Sequence, residues 1–342
     1  MKKRKTISNN RNLLRLLYNS YLPKVVNCAI DINLFDVLAQ KELSLKEISG
    51  KINTVETITE ALLDVLVAVD LIKINEGKYS LLQTANDFFL DVSKANIVST
   101  VKNFSGSAGP FDNLKAVLRE GPPVFNDRMW TNANSIASME HQQYGGAIQN
   151  VLAFIRTIPE FKACKKMCDF AGSVGYFSFE FIQENPQIES HVYDLSEVCD
   201  LAKEMKKDEE YYNRITYHDF DMASNRSFGS GYDLFFGSHF LYKFNAERTL
   251  VEFFKQVNQA MNSGGLFVSN HITSNPDGEN DVTLSIVELM TRCIGYPTHQ
   301  LAEIDLKTAL KKAGFGEFRT KYLADEAPYP TLLLSAVKIM EI

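Results

Sequence analysis

The stretch CDFAGSVGYFSFEF, residues 168–181, constrains this chain more than any other. An apolar strand-like run ends at Asp169, Gly172 and Gly175 follow within six residues, and a helix-like segment starts at once. Glycine there lets the backbone turn tightly and come close to a ligand. A strand, glycine turn and helix in that order open a βαβ unit, whose ligands lie at the carboxyl ends of the strands. The same grammar continues through IESHVYDL, EVCDLAKEMK, RITYHDFD, YDLFFGSHFL, ERTLVEFFKQVNQAM and GLFVSNHI. Short apolar strands alternating with helices predict a doubly wound, Rossmann-like α/β domain.

The front of the chain reads differently. Leu13, Leu17, Tyr21 and Val25 recur every fourth residue, and NCAIDINLFDVLAQ extends that helical pattern. ELSLKEISGKI is a short helix with a capping box at Ser44 and Glu47 and a stop at Gly50. TITEALLDVLVAVDLI is a third helix, and the EGK turn in KINEGKYSLL joins two short strands. Helices followed by a hairpin make a winged-helix pattern, expected over residues 1–100. The third helix is acidic and apolar where a DNA reader needs basic or amide side chains, so this surface is expected to pack or dimerise. Residues 101–342 are expected to hold linking helices and then the α/β domain; the helix around AIQNVLAFIRTI is softened by Gly145 and Gly146.

Composition narrows the partners. Lys plus Arg is 36 against 42 Asp plus Glu, a balance of −6 with no concentrated basic face, which argues against nucleic acid. No apolar run is long enough to span a membrane, and no secretory signal follows the basic MKKRK. Five cysteines without a CxxC pair suit a reducing cytoplasm and give no metal site.

Three acids fall at successive strand ends. Asp169 precedes the glycine turn, and Asp194 lies 19 residues after Gly175, near the spacing at which a carboxylate caps ribose hydroxyls. Asp219 and Phe220 follow, able to meet an adenine amino group and cover its ring. No Walker lysine is present and the dinucleotide fingerprint is incomplete, so a nucleoside-containing ligand is expected but neither a triphosphate nor a dinucleotide.

On these residues the chain resembles the class I S-adenosylmethionine-dependent methyltransferases, within them the O-methyltransferase family of plant phenolic and hydroxyindole enzymes. CDFAGSVG stands where that family has D-x-G-G-G-x-G, YDLSEV where it has D-L-P-x-V, and YHDFD where it has G-D-[MF]-F. QVNQAMNSGGLFVSNHI, KKAGFGEF and AIDINLFDVL match further family segments, so the resemblance covers nearly the whole chain. It implies S-adenosylmethionine as cofactor, a homodimer formed through the N-terminal domain and a small-molecule acceptor. Gly172 would lie beside the methionyl part, Asp194 would hold the ribose hydroxyls, and Asp219 with Phe220 would frame adenine. Asp169, Gly175, Leu195 and Ser238 complete the expected cofactor side, and Met139, Tyr144, His239 and Met290 the acceptor side.

The resemblance breaks at the catalytic base. The family places a histidine in H-x-x-H-D-W; here SHFLYKF puts Tyr242 at that position, Lys243 at the following acid and Phe244 at the Trp. The two acidic orienters fall on Asn270 and Thr298. A tyrosine, with an unperturbed pKa near 10, is a poor general base. The expected catalytic set is therefore Tyr242, Asn270 and the nearby His299, acting by proximity on an acceptor that is already ionised or is a neutral amine. A non-methylating use of the same cofactor and a non-catalytic regulator remain open at this level.

Overall fold

The computed structural model describes residues 10–105, 111–122, 131–221, 227–244, 249–274, 278 and 281–342. The chain divides into two compact units, Met1–Gly109 and Pro110–Ile342. The first unit runs past the expected boundary at residue 100, because Val98 and Val101 of its last helix pack against its core.

In the first unit the long helical pattern is cut in three: α1 (Arg11–Asn19), α2 (Leu22–Asp31) and α3 (Leu34–Gln40). The last break is made by Asn33, in the left-handed region at φ 57°, which asparagine tolerates better than most side chains. After the two-residue strand β1 (Leu43–Ser44), α4 (Leu45–Ile52) starts on the expected capping box. The Ser44 amide donates to Glu47 Oε2 at 2.8 Å, and the Glu47 amide to Ser44 Oγ at 3.4 Å. The helix does not stop at Gly50; it runs to Ile52 and ends on a left-handed Asn53. Helix α5 (Glu56–Ala68) leads to strands β2 (Ile72–Asn75) and β3 (Lys78–Leu81). Glu76 and Gly77 join them, both at positive φ, the two-residue turn that matches strand twist. Helices α6 (Gln83–Phe89) and α7 (Val98–Ser105) complete the unit. Leu34, Phe35, Ile48, Leu63 and Leu66 are buried, and Phe35 stacks on Phe89 at 4.7 Å. Helix α1 buries no residue and exposes Leu13, Leu16, Leu17 and Tyr18.

The second unit begins with α8 (Leu114–Glu120), α9 (Ala133–Gln142) and α10 (Ile148–Ile155). Residues Gln143–Ala147 form a wider turn between α9 and α10, with Gly146 at φ 140°, so the expected softening is a kink. The sheet contains β4 (Lys166–Phe170), β5 (Glu189–Asp194), β6 (Ile215–Asp219), β7 (Tyr232–Ser238), β8 (Met261–Ile272), β9 (Phe315–Leu323) and β10 (Thr331–Lys338). Their order is β6-β5-β4-β7-β8-β10-β9. Five strands are parallel, while β10 runs antiparallel to both β8 and β9. The connecting helices are α11 (Tyr176–Glu184), α12 (Ser196–Lys206), α13 (Thr249–Ala260), α14 (Val282–Cys293) and α15 (Glu303–Lys312). Chain order reverses between β4 and β7, and the ends of β4, β5 and β7 open a crevice there, where doubly wound sheets bind ligands. Two apolar clusters sandwich the sheet, one around Phe177, Phe181 and Phe236, the other around Phe170, Phe235 and Phe267. Among the described residues no helix is long and apolar enough to cross a membrane.

Fully buried Asn258 on α13 fastens the end of the chain: its Nδ2 donates to the carbonyls of Ala313 and Met340, both at 2.9 Å. Asn258→Ala leaves both acceptors without that donor, and loss of buried partners costs about 1–3 kcal/mol each. Urea unfolding of this variant is expected to show a loss of roughly 2–4 kcal/mol.

Candidate active site

The site starts from the turn between β4 and α11. Ala171 and Ser173 both sit at φ 53°, and Gly175 at φ 87°, so left-handed backbone persists at two positions that carry a Cβ. Such a conformation costs roughly 1–2 kcal/mol for a non-glycine residue. Hydrogen bonds offset it. The Ala171 amide donates to the Tyr193 carbonyl at 2.8 Å, the Ser173 amide to Asp194 Oδ2 at 2.8 Å, and the Leu195 amide to Asp194 Oδ1 at 2.8 Å. Ser173 Oγ donates to the Tyr176 hydroxyl at 3.3 Å, which donates to the Ile136 carbonyl of α9 at 2.7 Å. Gly172 is required sterically: a Cβ there would lie 2.5 Å from the Asp169 carboxyl carbon.

Asp169 is itself 1% exposed and accepts from Ser178 Oγ at 2.6 Å. Burial pushes its carboxyl up to about 7, against the lowering effect of the Ser178 hydrogen bond.

Above the turn lies a cavity of about 320 Å³. Asp169, Gly172, Asp194, Leu195, Phe220 and Ser238 line it. Met139, His239, Tyr242 and His299 line it too. The remaining expected residues lie outside this lining. Gly175 caps α11 and shapes the turn from behind. Asp219 pairs with Asp194 in the β5–β6 ladder but is exposed. Asn270 lies behind Ser238 and His239. Tyr144 packs against the core beneath, where burial raises its hydroxyl pKa. Met290 is half-buried on α14. Reading the sequence missed Gln142, Tyr176 and Tyr329, all cavity residues. Tyr176 could have been found as the first helical residue after the glycine turn. Tyr329 precedes the antiparallel strand β10 and carried no such signal.

Tyr242 is held among aromatic rings. Its ring stacks on His299 at 4.1 Å with 22° between planes and meets Tyr296 edge-on at 5.2 Å. His299 Nδ1 pairs with Thr291 Oγ1 at 2.9 Å, and its backbone amide donates to Glu288 Oε2 at 2.9 Å. Thr298 donates to the same carboxylate oxygen and so serves that loop. Burial lowers His299 to about 4, with Glu288 opposing, and lowers His239 to about 3, with His299 adding to the effect. Both imidazoles are therefore neutral near pH 7.

The family model described as the O-methyltransferase domain matches residues 130–316, and that of the O-methyltransferase dimerisation domain matches residues 14–91. The chain belongs to the O-methyltransferase family. Its cofactor is S-adenosylmethionine, and the residues present fit that group: the backbone at Gly172 leaves room only without a Cβ, and the Asp194 carboxylate, held by the Ser173 and Leu195 amides, lines the same cavity. The chain is 22% identical over 235 residues to the N,N-dimethyltransferase OxyT of Streptomyces rimosus, covering 64% of this chain and 66% of that one. It is 25% identical over 265 residues to an uncharacterized protein of Methanocaldococcus jannaschii, covering 75% and 68%. Its fold is similar to human N-acetylserotonin methyltransferase solved with its methyl donor, with TM-score 0.74 and 17% identity over 99% of this chain and 100% of that one. The pyocyanin biosynthetic protein PhzM superposes with TM-score 0.76 at 14% identity, over 96% and 98%.

Two outcomes follow for the turn. Ala171→Gly and Ala171→Gly/Ser173→Gly remove the left-handed Cβ penalty, and the single change is expected to raise stability by about 1 kcal/mol in urea unfolding. Asp169 binds its proton more tightly folded than unfolded, so its contribution to stability falls as pH rises from about 4 to about 7. Asp169→Asn should flatten that slope, which urea midpoints measured at about pH 5 and about pH 7.5 will show.

Proposed function

We propose that this methyltransferase acts as a homodimer on a small aromatic or apolar acceptor and transfers the methyl group without a strong general base. The observation that carries the reading is the Tyr242–His299 stack: the family's base position holds a tyrosine engaged with a neutral imidazole. When bound, S-adenosylmethionine supplies an electrophilic methyl carbon on a positively charged sulfur. Everything else is left to this chain. Asp194, fixed through both oxygens by the Ser173 and Leu195 amides, holds the ribose hydroxyls, and the Phe220 ring covers the base. Met139, Tyr242, Tyr329 and the two imidazoles line the space left for the acceptor. Holding two reactants in attacking geometry can alone remove about 7–11 kcal/mol of barrier. The dimerisation domain and the exposed apolar face of α1 support the homodimer.

Calorimetric titration with S-adenosylmethionine tests the cofactor side. Asp194→Ala is expected to weaken binding by at least tenfold, because both the ribose acceptor and the anchor of the Ser173 amide go. Methyl-label transfer in Tyr242→Phe tests the rest. Turnover within a few-fold of wild type is expected; abolition with binding intact would make Tyr242 the base after all.

A further inference from the structure

We propose that the acceptor enters this cavity as an anion and is met there by the Nδ1–H of His239, a tautomer that Asn270 fixes. The proposal rests on the methyltransferase reading above and names the acceptor class within it.

Asn270 is 2% exposed at the end of β8. Its Nδ2 donates to Ser238 Oγ at 3.1 Å and to His239 Nε2 at 3.4 Å, and its Oδ1 has no partner among the described residues. Turned over, the amide would direct two N–H groups to where the described residues offer Oδ1 nothing. Two donors would then go unmet instead of one acceptor, so the orientation with Nδ2 toward His239 is favoured. A nitrogen that accepts carries no hydrogen, and a neutral imidazole has only one. The hydrogen of His239 is therefore on Nδ1.

Among the described residues the side-chain hydrogen bond of His239 is at Nε2, and the ring that carries Nδ1 lines the cavity. Asn270 also fixes the backbone, since the His239 amide donates to its carbonyl at 2.8 Å while residue 239 sits in the left-handed region at φ 49°. Strain of about 1–2 kcal/mol held in place by one neighbour marks a side chain whose direction is imposed. His299, His271 and Tyr329 act on or touch His239, and Tyr242 and Lys243 line the same cavity; none of these is a carboxylate that would charge the ring.

A rigid N–H donor suits a lone pair that bears negative charge, and it cannot take a proton at the same atom. With an oxygen, sulfur or carbon anion as nucleophile, the new bond to the methyl carbon forms as the carbon–sulfur bond breaks. The electron pair of that broken bond goes to sulfur, neutralising the sulfonium. No proton is released, so no base is required. Asn270 in the place of an acidic orienter is the matching change: an acid there would draw the hydrogen to Nε2 and turn Nδ1 into a base.

The test uses the full chain with histidine nitrogen-15 labelling, loaded with S-adenosylhomocysteine, its binding checked by calorimetry. The His239 ring signals are those lost in His239→Gln. Wild type is expected to show hydrogen on Nδ1 and a bare Nε2, and Asn270→Asp to move the hydrogen to Nε2. The acceptor probe is 4-nitrophenol, whose anion absorbs apart from its neutral form. Binding to loaded wild type below the probe's own pKa should generate the anion, and His239→Gln should weaken that binding at least tenfold. An Nε2–H tautomer in wild type, binding of the neutral phenol, or no binding of the phenol overturns the proposal, and the wild-type measurements decide it even if a variant fails to fold. Failure to bind S-adenosylhomocysteine would instead overturn the methyltransferase reading beneath it.

Discussion

The rest of the site depends on one carboxylate holding one strained turn. Asp194 accepts amides from Ser173 and Leu195, one on each oxygen, and hydrogen bonds to a charged acceptor are the stronger kind. They offset a backbone that bends left-handed at Ala171 and Ser173. The same bonds aim the carboxylate, so turn stability and cavity chemistry are set together. The turn also positions the opposite wall: Ser173 reaches the Ile136 carbonyl through Tyr176, and Ile136 belongs to α9, which carries Met139 and Gln142 into the cavity.

Charge is divided among the residues that line the cavity in the same spirit. Asp169, Asp194 and Asp221 supply carboxyl groups and Lys243 an amine, while His239 and His299 are held neutral by burial. Carboxylates near a cationic cofactor offset its charge, and the neutral rings themselves add no fixed positive charge. Asp169 fits this division only in part. A carboxyl pushed up to about 7 carries partial charge at neutral pH, and its first task is structural, since it packs under Gly172 and accepts from Ser178.

Much of this was legible in the sequence wherever a local rule decides structure. The β4–turn–α11 unit, the Ser44–Glu47 capping box and the Glu76–Gly77 hairpin each depend on residues within a few positions of one another. Asn33 and Asn53 were harder, because a left-handed asparagine breaks or ends a helix without announcing itself as glycine does. Ala171 and Ser173 read as departures from a glycine pattern, yet the backbone follows that pattern with side chains attached. What stayed out of reach was pairing across the fold. Asn270 meets His239 because β7 and β8 lie in parallel register, with Ser238 opposite Asn270. Tyr329 reaches the cavity from the segment before the antiparallel strand. Neither relation has a sequence period.

The Tyr242–His299 stack gives a site without a strong base, as proposed, a way to hold its wall together. A histidine base needs an orienting acceptor for one ring nitrogen, and a carboxylate in that role must itself be desolvated. Here His299 leans on a threonine hydroxyl and an aromatic face instead. An aromatic contact of this kind contributes about 0.5–1.5 kcal/mol beyond area burial and buries no charge. The wall therefore packs without an ion pair. Where an acceptor displaces solvent from it, every remaining dipole aimed at the acceptor gains strength, including the single N–H of His239, because less solvent screens it. A site of the proposed kind would differ from one with a base in which acceptors are chemically competent, not in the fold that brings acceptor and methyl donor together.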